Sequence, residues 1–502
     1  MTAPELRLVR GTIAVVVGLV LLRLVAAAWT PLTFDEAYYW TWSKHLAGGY
    51  YDHPPMVAVV IWLGTMIAGD TEFGVRVVSV LLALPMSWAV YRSAELLFGG
   101  TRVACSATLL LNATMIVSAG TMIVTPDAPL LVASSFVLLT LAQVLATGRG
   151  EWWLAVGVAV GLALLSKYTA MFFGPAILIW LVAVPKLRRW LVSPWPYLGG
   201  LVALALFSPV ILWNADHQWV SFIKQLGRAR IEHFNPVFVA ELIPTQIAFA
   251  TPLVFILGAM GLYALARRHS GAWPARTLVN STLWTIVLYF VWHALHNRVE
   301  ANWLAPVYPA FAIAAAVAAN VTAWQPREQR TVNFCLRWAG PVGVVMFTAL
   351  VVQANTGLLS GYRRDPTVRS VGVGFAKLAG EIESVRLRVG ATCVLAPDYG
   401  TTGWLTFYLP KGTCVTQHGQ RIRWVNMPEP AAAQLAGKLL LVGWDNAGAA
   451  PELQKSFAVI EKVGELTRQR GPLVIEKVEL DVLDGARGDP LDRSPPEELV
   501  RP

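Results

Sequence analysis

Residues 34–55 read FDEAYYWTWSKHLAGGYYDHPP. Two carboxylates stand side by side at Asp35 and Glu36, a belt of Tyr and Trp follows, and Asp52-His53 runs into a double proline. Directly upstream, residues 11–29 form an apolar run close to the roughly 20 residues that cross a bilayer core. The polar, aromatic segment therefore emerges at a membrane face. Downstream, residues 54–69 (PPMVAVVIWLGTMIAG) are apolar but short, and they follow two prolines. Whether that piece spans decides the orientation of everything after it.

Composition sets the frame. The chain has 502 residues, 55% apolar and only 14% charged, with a mean hydropathy of +0.53. Soluble domains carry about 25% charged residues, so this is an integral membrane protein. Its 21 tryptophans suit interfacial aromatic belts. The net charge of +9 is unevenly placed: residues 1–356 hold 22 Lys or Arg against 14 Asp or Glu, and the remainder holds 18 against 17. The basic excess thus belongs to the membrane part, where it reports topology, and nucleic acid is a poor partner.

Helix-length apolar runs lie at 11–29, 75–98, 103–124, 128–146, 152–167, 169–185, 197–213, 246–266, 277–295, 303–323 and 338–356. With 54–69 taken as re-entrant or interfacial, one face receives 13 basic residues on its short loops, from Arg7 and Arg10 to Arg337. The short loops of the other face hold only Lys167 and Arg298. If 54–69 spanned, the bias would change sides partway along and the positive-inside rule would fail. The expectation is a mostly α, polytopic protein with about eleven transmembrane helices, an uncleaved first helix, a cytosolic N-terminus and interfacial helices in the first outer loop. The outer face then collects 30–74, the turn at 125–129, the corner at 166–168, the loop at 214–245, residues 296–303 and everything past 356.

Three regions are expected: a membrane domain over 1–356, a small extracytoplasmic α/β domain over 357–483, and a disordered tail over 484–502. In the second, 372–388 has helical periodicity, 391–397, 413–417, 438–444 and 472–483 read as strands, and 402–410 as a short helix. No GxGxxG loop supports dinucleotide binding. Cys105, Cys335, Cys393 and Cys414 lack metal-ligand spacing, and Cys393 and Cys414 either pair or stay free according to compartment.

The polar residues of the outer face carry the chemistry. Asp35 and Glu36 point about 100° apart on a helix, so one faces a cavity while the other makes a structural pair. A carboxylate there serves as general base, with Glu36 as support; the plain alternative is helix capping behind Thr33. Asp52 and His53 suit a divalent metal or a substrate contact, or else a helix start before Pro54. Asp127 is a second candidate acid, although Pro-Asp-Ala-Pro is also a good turn. Lys167, next to Tyr168, and Arg298 are candidate cations for a lipid-linked phosphate, against simple snorkelling. His296, Glu300 and Asn302 complete the substrate-binding candidates, whereas Lys224, Arg228 and Arg230 read as solvated or attracted to anionic headgroups.

The order DEAYYW (35–40), GYYDHPP (49–55), TPDAP (125–129), LLSKYTA (164–170) and HNRVEANWLAPVYPA (296–310) resembles the bacterial branch of the GT-C glycosyltransferases. That branch is family 39, with the protein O-mannosyltransferases, and it is related to the lipid A aminoarabinose transferases. The resemblance covers roughly residues 10–320. It implies a GT-C fold and inverting transfer of a hexosyl or pentosyl group from a polyprenyl-phosphate donor to a lipid, glycan or protein acceptor. The setting is the outer face of a bacterial cytoplasmic membrane. It implies Asp35 as base, Asp52 as metal ligand or substrate contact, and matching roles for Asp127 and Lys167. His53 stands where the aminoarabinose transferases carry Lys. A transporter or flippase for lipid-linked sugars is the rival reading, but no inverted repeat is present and the polar residues gather at one face. A receptor built on the outer domain leaves Asp35, Asp127 and Lys167 unexplained.

Overall fold

The computed structural model describes residues 2–228, 233–267, 273–321, 323–358, 365–444, 451–471 and 473–495. Helix α1 (Ala3–Trp29) leads into α2 (Phe34–Lys44) and α3 (Met56–Ala68). Then come α4 (Glu72–Leu81), α5 (Ala83–Phe98), α6 (Thr101–Asn112), α7 (Met115–Met122), α8 (Asp127–Thr147) and α9 (Trp152–Ser166). They are followed by α10 (Phe173–Ala183), α11 (Pro194–Asp216), α12 (Val220–Arg228), α13 (Val237–Ala250), α14 (Pro252–Arg267), α15 (Trp273–Ala294), α16 (Tyr308–Asn320) and α17 (Pro326–Thr356).

Among the described residues, six helical segments are long and apolar enough to cross a membrane, or eight if each of two bent pairs is one span. One bent pair is α6–α7, with 56° between its halves; the other is α13–α14, with 104°. The single run expected at 246–266 is therefore broken. Its cause is Pro252, which removes a backbone donor and forces the residue before it out of the helical region: Thr251 sits at φ +63°. At 13 residues, α3 reaches only about 20 Å.

Helices α9 and α11 touch backbone to backbone, because a Cβ on Gly157 would lie 2.1 Å from the Gly199 carbonyl oxygen. Such small-residue contacts are how helices associate where lipid supplies no hydrophobic drive.

The C-terminal part adds α18 (Pro366–Ser370), α19 (Phe375–Val389), α20 (Tyr399–Tyr408), α21 (Ala432–Ala436) and α22 (Pro451–Ser456) around one five-stranded sheet. Its strands β1 (Cys393–Ala396), β2 (Cys414–Gln417), β3 (Leu439–Trp444), β4 (Phe457–Arg470) and β5 (Leu473–Ala486) lie in the order β2-β1-β3-β5-β4. β1 runs parallel to β2 and β3, whereas β5 is antiparallel to β3 and β4. β4 was not expected from sequence. The expected tail also starts too early: β5 continues to Ala486, Leu491 is buried, and Asp492 donates its amide to the His418 carbonyl. Cys393 and Cys414 are register partners on β1 and β2 and form a disulfide.

This domain rests directly on α2. A Cβ on Gly403 of α20 would come within 2.7 Å of the Tyr38 amide nitrogen, so only glycine permits the approach. Phe34 and Tyr38 pack edge-on against Trp404 and Trp424. The Leu32 carbonyl accepts from the Trp404 indole at 3.0 Å and from the Gly372 amide at 2.8 Å.

Glu36 fastens α2 from the other side. Its carboxylate takes the Thr33 amide at 2.9 Å while the Thr33 hydroxyl accepts the Glu36 amide, a capping box. It also accepts two bonds from Arg76 of α4, at 2.6 and 2.7 Å, and one from the Val124 amide at 3.0 Å. Arg76 spends its remaining donors on the carbonyls of Ala27, Thr30 and Pro31 at the end of α1. Both side chains are fully buried. Breaking one member of such a pair strands a buried charge and costs about 3–5 kcal/mol. Arg76→Met is accordingly expected to lower the unfolding midpoint in detergent sharply, and an unchanged midpoint would remove this pair from the account of stability.

Candidate active site

A cavity of about 780 Å³ opens where α2, the start of α8, the end of α9, the α15–α16 connection and the C-terminal domain meet. Its walls carry Asp35, Asp52, His53, Asp127, Lys167, Arg298, Glu300 and Asn302, so eight of the residues singled out from sequence converge on one space. Glu36, Tyr168 and His296 are not among the lining residues. Glu36 is the capping and Arg76-pairing residue already described. The Tyr168 hydroxyl bonds Ser221 at 2.8 Å and so holds the start of α12, while His296 Nδ1 lies 3.1 Å from the Trp292 carbonyl oxygen.

Asp35 occupies the first turn of α2, one residue before Glu36. The rotation per residue aims it into the cavity, where its carboxylate accepts the Tyr399 hydroxyl at 3.1 Å. Burial pushes its pKa up to about 6, with Asp52 and Glu36 adding to the rise and the Tyr399 bond and Arg423 opposing it. A carboxyl group held there changes protonation close to neutral pH, which suits a general base.

Asp52 precedes α3 and is enclosed by donors. Lys224 reaches one oxygen at 2.7 Å, and the Tyr38 hydroxyl at 3.0 Å and Arg423 reach the other. Gln225 donates to the Asp52 carbonyl at 3.0 Å. Burial alone would raise the Asp52 carboxyl, but Arg423 and Lys224 outweigh it and hold the group well below the usual range. Two cations here share one carboxylate. Lys224 also sits 3.8 Å from the centre of the Tyr51 ring, and Arg423 lies over the Tyr51 and Tyr399 rings.

Sequence reasoning read Lys224 as solvated; it is buried and faces the cavity's Asp52. Of its two companions, only the α12 backbone of Arg228 is described, and Arg230 lies outside the described residues. Arg423 and Tyr399 were missed altogether. Arg423 sits in the short turn Arg421–Trp424 beyond β2, and no local spacing ties it to a position 371 residues earlier.

Lys167 differs from expectation in its partner. Its ammonium donates to Asp127 at 2.7 Å, and the Asn302 amide reaches the other Asp127 oxygen at 2.6 Å. Both members of this ion pair are nearly buried, so Lys167 and Asp127 form a neutral unit in the wall. Arg298 stands at the rim, largely exposed, 3.3 Å from Glu241.

Asp52 and His53 do not make a metal centre. Both Asp52 oxygens are committed to cationic or hydroxyl donors, and among the described residues no three His, Cys, Asp or Glu side chains are placed to hold a metal ion.

Comparison with known proteins agrees with this architecture. Residues 52–213 match the family described as dolichyl-phosphate-mannose-protein mannosyltransferase. The lipid A galacturonosyltransferase RgtD of Rhizobium johnstonii is 26% identical over 317 residues, which span 61% of this chain and 65% of that protein. The undecaprenyl phosphate-alpha-4-amino-4-deoxy-L-arabinose arabinosyl transferase 1 of Pseudomonas fluorescens is 25% identical over 230 residues, 43% of this chain and 42% of its own. Among solved structures, ArnT from Cupriavidus metallidurans bound to undecaprenyl phosphate superposes with a TM-score of 0.65 at 18% identity, covering 94% of this chain and 98% of that one. The chain is thus similar to the mannosyltransferase family over residues 52–213, spans less than two thirds of the length of the two curated relatives it matches, and shares its fold with ArnT almost from end to end.

Proposed function

We propose that the protein is a membrane glycosyltransferase that moves a sugar from a polyprenyl-phosphate donor to an acceptor hydroxyl at the outer face of a bacterial cytoplasmic membrane, with inversion. The observation that carries this reading is one cavity holding a carboxyl group poised near neutrality beside a carboxylate shared by two cations. Asp35 takes the proton of the acceptor hydroxyl. The acceptor oxygen attacks the anomeric carbon as the bond from that carbon to the phosphate oxygen breaks, and the electron pair leaves with the lipid phosphate.

Charge growing on the departing phosphate needs donors already in place. Lys224 and Arg423, which converge on Asp52, supply them. Lys167 was the cation expected from sequence to hold the phosphate. Its pairing with Asp127 favours a role in shaping the wall instead, with Asn302 fixing the same carboxylate. The relatives support the donor class: one is named for undecaprenyl-phosphate-linked aminoarabinose, and the ArnT structure holds undecaprenyl phosphate. The sugar and acceptor stay open between the hexuronosyl and pentosyl chemistries of those names.

Three outcomes test the reading. Asp35→Asn in membranes supplied with polyprenyl-phosphate sugar is expected to lose transfer by about 10²- to 10⁴-fold while keeping expression and donor binding; near-wild-type turnover would exclude Asp35 as base. With Asp35 active as the anion, the rate should fall about tenfold per pH unit below about 6. The Tyr399 bond favours the charged carboxylate, so Tyr399→Phe should move that acid limb to higher pH, and an unmoved limb assigns it to another group. Stability runs the opposite way: a carboxyl whose pKa is raised on folding stabilises the fold below its unfolded value and loses that contribution as pH rises through about 6. Finally, Arg423→Gln should raise the donor KM and lower kcat, and normal donor saturation would take the phosphate away from this cation.

A further inference from the structure

A second cavity, of about 590 Å³, lies between α1, α6 and α17, away from the site above. Its walls are apolar, with Val15 and Leu19 on α1, Leu109 on α6, and Val344 and Phe347 on α17. Val15 and Val344 are exposed in the isolated chain, so the cleft opens sideways, toward lipid. It is hollow because α17 carries Gly340-Pro341 at this point: nothing lies within 4 Å of where a Gly340 Cβ would be. Three residues on, the same helix is pinned, since a Cβ on Gly343 would fall 2.3 Å from the Ala113 carbonyl oxygen.

The deep end is closed by a charge. Arg23 of α1 is fully buried and donates to the Asn112 side-chain oxygen at 3.1 Å, the Asn112 carbonyl at 3.0 Å and Ser118 Oγ at 3.2 Å. It thereby caps the broken end of α6, where a cation is favoured by the helix dipole. The floor of the cleft is thus built and satisfied from within. The other end is marked by Arg337, which lines the cleft, and Arg330 lies two turns earlier on the same stripe of α17; both are exposed. From Arg337 to Phe347 the helix rises about 15 Å. That is about half of a ~30 Å hydrocarbon core, the depth of a single leaflet.

We propose that this cleft is a binding site for one acyl chain of an anionic phospholipid, drawn from the leaflet on the Arg337 side, with its phosphate on Arg337 and Arg330. Length selects a single-leaflet chain, and the guanidinium groups of Arg337 at the mouth and Arg330 two turns beyond it select an anionic headgroup over a zwitterionic one. The bound chain fills the gap opened by Gly340-Pro341 and braces α17. The far end of that helix meets the C-terminal domain through Arg470, which donates to the Gln353 carbonyl at 3.2 Å.

The full chain, reconstituted with equal phosphatidylglycerol and phosphatidylcholine and released for native mass spectrometry, reads this directly. The wild type is expected to retain one phosphatidylglycerol in preference by about 30-fold, near 1 kcal/mol for each of the two basic residues at the headgroup. Arg337→Gln should cut that preference about fivefold, and Gly340→Phe should abolish retention of either lipid, with an unchanged melting temperature in lipid-free detergent showing that both variants fold. Equal retention of the two lipids by the wild type would overturn the proposal. So would a preference that Arg337→Gln leaves intact, and that arm decides the matter even if Gly340→Phe fails to fold.

Discussion

The Glu36–Arg76 pair is the contact on which the site depends. Two buried charges satisfy one another and also hold carbonyls at the end of α1, the Thr33 amide at the start of α2 and the Val124 amide before Asp127. Desolvated charges are costly unless so completely matched, and that cost penalises any alternative arrangement of these segments. With Glu36 immobilised, the neighbouring residue has one direction left. Asp35 therefore faces the cavity because its neighbour is locked away from it, and the same lock sets the backbone that delivers Asp127.

Charge in the cavity is arranged in two different ways. Around Asp127, one ammonium and one amide neutralise one carboxylate, leaving a rigid unit with little field beyond it. Around Asp52, two cations face one carboxylate, so positive charge gathers inside a buried, aromatic-walled space. In surroundings of low polarity that charge acts strongly on any anion entering the cavity. The two arrangements differ in kind: the first is a closed ion pair in the wall, the second brings two cations together on one carboxylate.

Much of this was legible in the sequence. The split between Asp35 and Glu36 follows from helical rotation alone, and the Thr33 cap is made with Glu36 while Asp35 faces the cavity. Eight of the named polar residues, which the charge bias on loops placed on one face, line one cavity. What could not be read had physical causes. Hydropathy is blind to direction, so the α13–α14 bend at Thr251 was hidden in a uniform apolar run although Pro252 was visible. Lys224 looked like any basic residue of a loop, because its burial comes from Asp52 and Tyr51, far away in the chain. β4 carries five charged residues, Glu461, Lys462, Glu465, Arg468 and Arg470, on a hairpin exposed along much of its length, so it lacked the apolar run that marked the inner strands.

The bonds from Tyr399 to Asp35 and from Arg423 to Asp52 join residues 364 and 371 positions apart. A ribosome adds roughly 5–20 residues per second, so tens of seconds separate the synthesis of the loop after α1 from the arrival of the residues that tune it. Until then Asp35 lacks its hydroxyl partner and Asp52 one of its two cations. The nascent membrane bundle, surrounded by lipid from its first helix onward, thus holds its carboxylates in an unfinished electrostatic setting until the last domain has docked.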